Sequence, residues 1–332
     1  MKEKVKLLIG LILFLVLSCS RNDFNDNIEI PEFDFPKTID FEDSLTHYNI
    51  FEGIPSDLSP SKEFELLELS SELFTDYSYK QRLVKIPTGT ELSKGEDGSF
   101  NFPNGSILVK TFFYYEDERN KSLGKRIIET RLEIKNDDLW NAATYLWNSE
   151  QTEAILKLDG FDTPITWTDQ NGIHRSTIYH VPSENERMTC HQSNSKMTPL
   201  GPTIRNLNRN VLRNGSTLNQ LSHLQNIGIL RSFSVDQSEQ IVNYKDLSKS
   251  LEDRARAYLA MNCAHCHNPN SWEKSDWINF DFRYETPLNQ TGILSERNDF
   301  SRAIQNGEMP LIGTTILDEE GVNLLLKYLE EL

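Results

Sequence analysis

The spacing of apolar residues changes near Pro182, and the two parts of the chain predict different secondary structure. From about His47 to Pro182, apolar and polar residues alternate in segments separated by Gly, Asn and Pro. A period of two that is rich in β-branched and aromatic residues is typical of strands. The predicted strands are 106–115, 128–134, 140–147, 154–158, 165–168 and 176–179. We therefore expect an antiparallel β-sandwich or curved sheet, in which Asn171-Gly172 favours a tight hairpin turn between the last two strands.

The segment from Ile128 to Ile134 shows the clearest alternation. Its even positions are Ile, Thr, Leu and Ile, whereas its odd positions are Glu129, Arg131 and Glu133. Because successive side chains of a strand point to opposite faces, this segment predicts a half-buried strand with a charged outer face.

Beyond Pro182 the strand pattern ends, and short amphipathic helices are predicted. Three leucines lie on one face of 216–226, with Gly228 as a C-cap. Residues 250–253, Ser-Leu-Glu-Asp, resemble a capping box that opens a helix continuing to Ala260. A last helix begins near Asp318 and carries apolar residues at helical spacing. The predicted fold class is α+β, with an N-terminal antiparallel β-rich domain followed by an α-helical domain.

The helix that begins at Ser250 leads directly into Cys263-Ala264-His265-Cys266-His267. C-x-x-C-H is the attachment signature of c-type haem, in which two thiols bond the haem and the adjacent histidine binds the iron. Two other interpretations remain open. A bare C-x-x-C is also a redox dithiol. Zinc is the other alternative, held either by Cys263, Cys266 and His267 or by a cage of three cysteines and one histidine, namely Cys190, His191, Cys263 and Cys266.

A helix that bears C-x-x-C-H and a terminal helix that closes over it resemble the plan of class I cytochrome c domains. These domains place a methionine beside a proline on the loop before the last helix, and Met309-Pro310 stands there in this chain. The resemblance implies that His267 and Met309 are the two axial iron ligands, with Cys263 and Cys266 bonded to haem c.

The chain also resembles a family of exported bacterial proteins described as diheme c-type cytochromes, over roughly Tyr48 to Leu332. The segments that carry this likeness are 71–77, 102–111, 129–132, 147–152, 200–201, 207–209 and 262–267. Membership implies haem binding and electron transfer and does not identify a substrate. A carboxylate site is conceivable among charged residues of these segments, namely Glu72, Asp76, Glu129, Arg131 and Glu150.

The upstream haem motif of that family is degenerate in this chain. Arg187 occupies the position of the first cysteine, and only Cys190 and His191 remain. We therefore expect one covalent haem, with His191 as a polar surface residue. Arg187 is expected to be a surface residue paired with Glu184 or Glu186, and pairing with a haem propionate is the alternative. A second haem, held by one thioether or without a covalent bond, stays an alternative. His180 and His223 are expected to lie away from any cofactor, and Trp140, Trp147 and Trp167 to belong to the core.

The N-terminus predicts export and lipid anchoring. A lysine-rich start precedes an apolar run from Leu7 to Leu17, which is too short to span a bilayer because a spanning helix needs about 20 residues. The run ends Val16-Leu17-Ser18-Cys19, which resembles a bacterial lipobox with Cys19 as the acylated residue. An ordinary signal peptide with a leftover cysteine is the alternative. The expected location is the cell envelope, anchored by lipid and facing the periplasm or the cell surface, where c-type haem is attached in bacteria.

These features divide the chain into five predicted regions. They are a lipoprotein signal peptide (1–18), an acidic spacer (19–45), the β-rich domain (46–182), a helical segment with the degenerate motif (183–247) and the cytochrome c-like domain (248–332). Residues 1–18 contain three lysines and one glutamate, so their removal takes the formal charge from −16 to −18.

This acidity argues against nucleic acid as a ligand and favours a basic redox partner if charge steers the encounter. The predicted function is electron transfer by a membrane-anchored c-type cytochrome. A haem enzyme of peroxidase or oxidase type, with the β-rich domain over the iron, and a structural zinc module are the alternatives.

Overall fold

The computed structural model describes residues 36–194, 196–271 and 280–332. The predicted signal peptide, Cys19 and most of the acidic spacer lie outside these residues. The α+β fold class is confirmed, since a large antiparallel sheet is combined with helices. Within the described residues, no helix has the length and apolarity that a membrane crossing needs.

The centre of the β-rich part is a six-stranded antiparallel sheet with the order β1-β2-β5-β6-β7-β8. These strands are β1 (Glu65–Leu66), β2 (Tyr79–Lys85), β5 (Ile107–Tyr115), β6 (Lys125–Asn136), β7 (Leu139–Trp147) and β8 (Ala154–Lys157). Between β2 and β5 the chain forms the short pair β3 (Ser93–Lys94) and β4 (Phe100–Asn101). The predicted hairpin is present as β9 (Phe161–Thr168) and β10 (His174–Val181), which pair along their whole length.

Strands continue after Pro182, so the prediction that they stop there is wrong. Two further hairpins are β11 (Gln192–Ser193) with β12 (Lys196–Met197) and β13 (Asn210–Arg213) with β14 (Ser216–Asn219). The helix expected over 216–226 therefore begins only at Gln220, where the Asn219 side chain accepts a hydrogen bond from the amide of Ser222 and caps it. Segment 183–247 therefore contains both strands and helices and is not purely helical.

The α-helices of the described residues are α1 (Glu184–His191), α2 (Ile204–Leu207), α3 (Gln220–Asn226), α4 (Leu251–Asn262), α5 (Arg297–Gln305) and α6 (Glu319–Glu331).

Strand β6 departs from the predicted half-buried pattern in two ways. A bulge opposite Phe112 and Phe113 leaves Ile128 unpaired, so Ile127 rather than Ile128 packs in the same core cluster as Leu132. The charged face is also covered, since Glu129 is completely buried and Glu133 nearly so. The sequence pattern identified the strand but not what covers its second face.

The C-terminal helices have a core of their own. Apolar residues of α4, α5 and α6 share one cluster with Phe282 and Ile293 from the segment between α4 and α5. Helix α6 crosses α4 closely, because a Cβ atom at Gly321 would lie 2.2 Å from the Tyr258 ring. A glycine is therefore required at this crossing, and the two helices are fixed relative to each other.

Candidate functional site

A deep cleft lies between the charged face of the sheet and the C-terminal helices. It holds about 1500 Å³ of empty space, part of it open to solvent. The predicted site residues that line it are Cys190, His191, Cys263, Cys266, His267 and Met309. The fold thus brings the C-x-x-C-H motif, the degenerate upstream motif and Met309 to one cleft, although they are far apart in sequence.

Helix α4 delivers the C-x-x-C-H motif to the cleft. The Ser250 side chain accepts a hydrogen bond from the Asp253 amide at 3.0 Å, as the capping pattern predicts, and the helix ends at Asn262. The Cys263 amide still donates to Leu259 at 2.9 Å, and the His267 amide donates to the Cys263 carbonyl at 2.9 Å. These bonds fold the motif into a compact turn at the helix end.

The environment of His267 suits a metal ligand. Its ring lies against Phe280 and Phe282, with ring centres 5.7 and 5.4 Å away, and the Phe282 amide donates to the His267 carbonyl at 3.0 Å. Burial lowers the pKa of His267 to about 4, so the imidazole is neutral at pH 7 and retains a lone pair for a metal. Burial also raises the pKa of the Cys263 thiol to about 12.

A segment before β2 holds the motif in place from the β-rich side. The Asn262 side chain accepts a hydrogen bond from the Phe74 amide at 2.7 Å and donates to Tyr258 within α4. Nearby, the Asn206 amide group bonds both the amide and the carbonyl of Ser71 and also contacts the Met261 sulfur at 3.2 Å. These side chains join α4 to the sheet, so the cleft walls are fixed to each other.

Asp76 holds the chain between Met309 and α6. Its carboxylate accepts hydrogen bonds from the Thr315 amide at 2.8 Å, the Thr315 hydroxyl at 2.9 Å and the Ile316 amide at 3.2 Å. By accepting these three hydrogen bonds, the Asp76 carboxylate fixes the end of the loop that carries Met309. Asp76 therefore has a positioning role, which sequence alone did not separate from a catalytic one.

The degenerate upstream site is buried, so both surface predictions made for it are wrong. His191 is 4% exposed, and its Nδ1 lies 3.1 Å from the Thr198 carbonyl and 3.3 Å from Glu133. Arg187 is 5% exposed and donates to the Thr144 hydroxyl at 2.7 Å and the Ala142 carbonyl at 3.1 Å, rather than to Glu184 or Glu186. Helix α1 packs these side chains against the covered face of the sheet, which local sequence did not reveal.

The thiols of the two motifs approach each other. Ligand atoms of Cys190, His265 and Cys266 lie within 4.8 Å of one another. The pKa of Cys190 is lowered by hydrogen bonds with Cys266 first and His265 second. The zinc cage considered from sequence is therefore wrong in its membership, because this group in the described structure contains His265 and excludes His191 and Cys263.

The sheet contributes a charged wall that the sequence analysis missed. Its cations are Lys80 and Arg82 from β2, Lys110 from β5 and Arg131 from β6, with Arg187 from α1 beside them. His180, expected to lie away from any cofactor, also lines the cleft, where it pairs with Asp162 and Glu186. The hydrogen bonds that these carboxylates accept, that of Glu186 first, raise the pKa of His180 to about 9. The alternation of charged residues was visible on β6, where the charged face was predicted to be the outer one, whereas the cations of β2 and β5 were not singled out.

No family model, curated protein or solved structure matches this chain. The geometry of the chain's own residues is therefore the basis for a functional proposal.

Proposed function

We propose that the chain is an exported, lipid-anchored c-type cytochrome that carries electrons through one covalently bound haem. The observation that carries the proposal is that Cys263, Cys266 and His267, in haem-attachment order at the end of α4, line one cleft with Met309. Residues 248–332 would then act as a class I cytochrome c-like domain, and a basic redox protein would suit the acidic chain as partner.

The residues present fit the haem group. Cys263 and Cys266 would form the two thioethers, His267 would be the proximal ligand, and Met309 the distal one. Neutral His267 is already in its metal-binding form, and Phe280 and Phe282 against its ring limit the access of water. The haem supplies a one-electron iron couple, while the protein sets the potential through axial ligands, burial and polarity.

An absorption spectrum tests this function directly. Protein expressed together with cytochrome c maturation should show a Soret band, and pyridine haemochrome quantification should give one haem per chain. A protein that is folded yet lacks a Soret band under these conditions would rule the proposal out.

Replacing Met309 with alanine is expected to lower the reduction potential, because thioether coordination raises it. The near-infrared band of the Met-to-iron bond should disappear at the same time. Met197→Leu is the matched control, since Met197 is buried away from the cleft lining. If Met309→Ala leaves both the band and the potential as in the parent protein, Met309 is not the distal ligand.

Replacing Cys19 with alanine is expected to block acylation and move the protein from the membrane to the soluble fraction. The reason is that two acyl chains anchor a protein stably, whereas the whole chain, its apolar start included, has a mean hydropathy of only −0.52. Fractionation with intact-mass analysis measures both effects. A wild-type mature form that is cut elsewhere and carries no acyl chain would contradict the assignment of Cys19.

Specific observations favour two alternative functions. The convergence of Cys190, His265 and Cys266 favours a metal module, whose sign would be stoichiometric zinc and no Soret band. The wall of sheet residues across the cleft from His267 favours a haem enzyme, whose sign would be an open or exchangeable sixth iron position. Six-coordinate low-spin iron would favour the electron carrier over both.

A further inference from the structure

Three cations stand side by side on neighbouring strands of the cleft wall. Arg82 on β2 is the direct cross-strand partner of Lys110 on β5, which is in turn the partner of Arg131 on β6. All three line the cleft. Like charges directly opposite each other in a sheet are destabilising, so this row lowers the stability of the protein unless anions balance it.

Only part of the row is balanced by the protein itself. Arg82 pairs with Glu72 at 3.0 Å, and Arg131 pairs with Glu129 at 2.6 Å. The Lys110 side chain forms no ion pair or hydrogen bond within the described parts of the chain, although buried Glu133 attracts it over a longer distance. Lys80 donates a hydrogen bond to the Ser78 carbonyl at 3.1 Å and, within the same parts, is not ion-paired with a carboxylate.

Arg187 extends the row on its other side. It donates to the hydroxyl of Thr144, and Thr144 is the cross-strand partner of Arg131. Both of its hydrogen bonds go to uncharged oxygens. Its Nε is buried and has no hydrogen-bond partner among the described residues. A buried guanidinium whose side-chain hydrogen bonds go only to uncharged oxygens lacks a direct countercharge, and because Arg187 lines the cleft this points to an anionic ligand there.

The positions of these charges indicate the size of the ligand. Lys80, Lys110 and Arg187 extend from β2 to the Thr144 position on β7, which is three strand spacings or roughly 14 Å. One tetrahedral oxyanion is too small for that width, whereas two carboxylates on one ligand match it. Positive charge is concentrated on this wall, whereas the whole chain has a formal charge of −16.

We propose that Lys80, Lys110 and Arg187 form a binding site for a ligand with two carboxylate groups. The ligand is either a free dicarboxylate or the pair of haem propionates, and only the second source rests on the proposed function. A free dicarboxylate would make the cleft a substrate or effector site. Propionates would instead mean that this wall binds the propionate groups of the haem.

Calorimetric titration of the full chain with adipate, a flexible dicarboxylate, tests the site. The haem-free variant Cys263→Ala/Cys266→Ala should bind adipate and should not bind its uncharged diamide. Lys110→Gln and Arg187→Gln, each added to that variant, should weaken binding at least tenfold. Lys85→Gln is the matched control, because Lys85 is also on β2 but pairs with Glu63 outside the cleft, and it should leave binding unchanged.

Haem-loaded wild type distinguishes the two sources. If the propionates occupy the site, adipate should bind only the haem-free variant, whereas binding to both forms identifies a free dicarboxylate. Lys110→Gln provides the second variant if Arg187→Gln does not fold, since glutamine is polar and of similar length and the change breaks no ion pair within the described parts of the chain. Absence of adipate binding, or equal binding in Lys110→Gln, overturns the proposal. Adipate binding to the haem-free variant does not depend on haem attachment. Failure of the dicarboxylate site can therefore be distinguished from failure of the proposed haem function.

Discussion

Replacing Cys263 and Cys266 together with alanine is expected to abolish covalent haem attachment, whereas Cys190→Ala should retain one haem per chain. The physical reason is that each haem needs two thioethers for stable attachment, and only Cys263 and Cys266 stand in the C-x-x-C-H arrangement. Arg187 takes the position of the first cysteine of the upstream motif, and a guanidinium cannot form a thioether. Intact-mass analysis with pyridine haemochrome quantification measures the number of haems directly.

The Cys190→Ala variant also separates the haem from the metal interpretation. Because Cys190, His265 and Cys266 converge, a zinc module should lose its metal in this variant, whereas a c-type cytochrome should keep its haem. His267→Ala serves as a further control, since it removes the proposed proximal ligand and leaves both thiols. A mass of two haems on the wild type that falls to one in Cys190→Ala would contradict the single-haem prediction and make His191 a second proximal ligand.

Local sequence was sufficient for the elements whose signals are local. The hairpin from β9 to β10, strand β7, the Ser250 cap and the start of α6 at Asp318 follow from turn residues, capping side chains and periodicity. These features depend on interactions between residues a few positions apart, which a single sequence displays.

The environment of the upstream motif was not predictable in the same way. Arg187 and His191 are polar residues on a short helix, and sequence alone favours solvent for such residues. They are buried because α1 packs on the sheet, where Arg187 donates to the Thr144 hydroxyl and His191 lies beside Glu133. This arrangement depends on contacts between residues more than forty positions apart, which leave no local pattern.

The same reasoning explains the error on β6. Alternation of charged and apolar residues normally marks a sheet with one solvated face. Here Arg131 of the charged face lines the cleft beside the C-terminal helices, and Glu129 is completely buried in contact with Arg131 and Tyr179. Charged residues were thus correctly placed on one face, but that face belongs to the candidate site rather than to the outer surface.

Glu129 is the residue in this wall whose loss should most reduce stability. Its carboxylate accepts two hydrogen bonds from Arg131, at 2.6 and 2.8 Å, and one from the Tyr179 hydroxyl at 2.7 Å. The Arg131 side chain is 15% exposed, so it retains little water if its partner is removed. Glu129→Ala would also add Arg131 to the cations of the wall that lack a countercharge.

We expect Glu129→Ala to lower the free energy of unfolding by about 3–5 kcal/mol, the usual cost of removing one partner from a buried ion pair. Glu63→Ala is the matched control, because Glu63 pairs with Lys85 at 2.7 Å but is 60% exposed, and an exposed pair contributes about 0–1 kcal/mol. Urea unfolding at pH 7, with both variants in the same haem state, measures the two values. Since both variants remove a glutamate that pairs with a cation of the sheet region, a common effect of lost negative charge would destabilise them equally. Equal losses would therefore show that burial of the Glu129 pair does not govern its contribution, whereas a difference of about 2 kcal/mol or more supports the buried charged wall as a major determinant of stability.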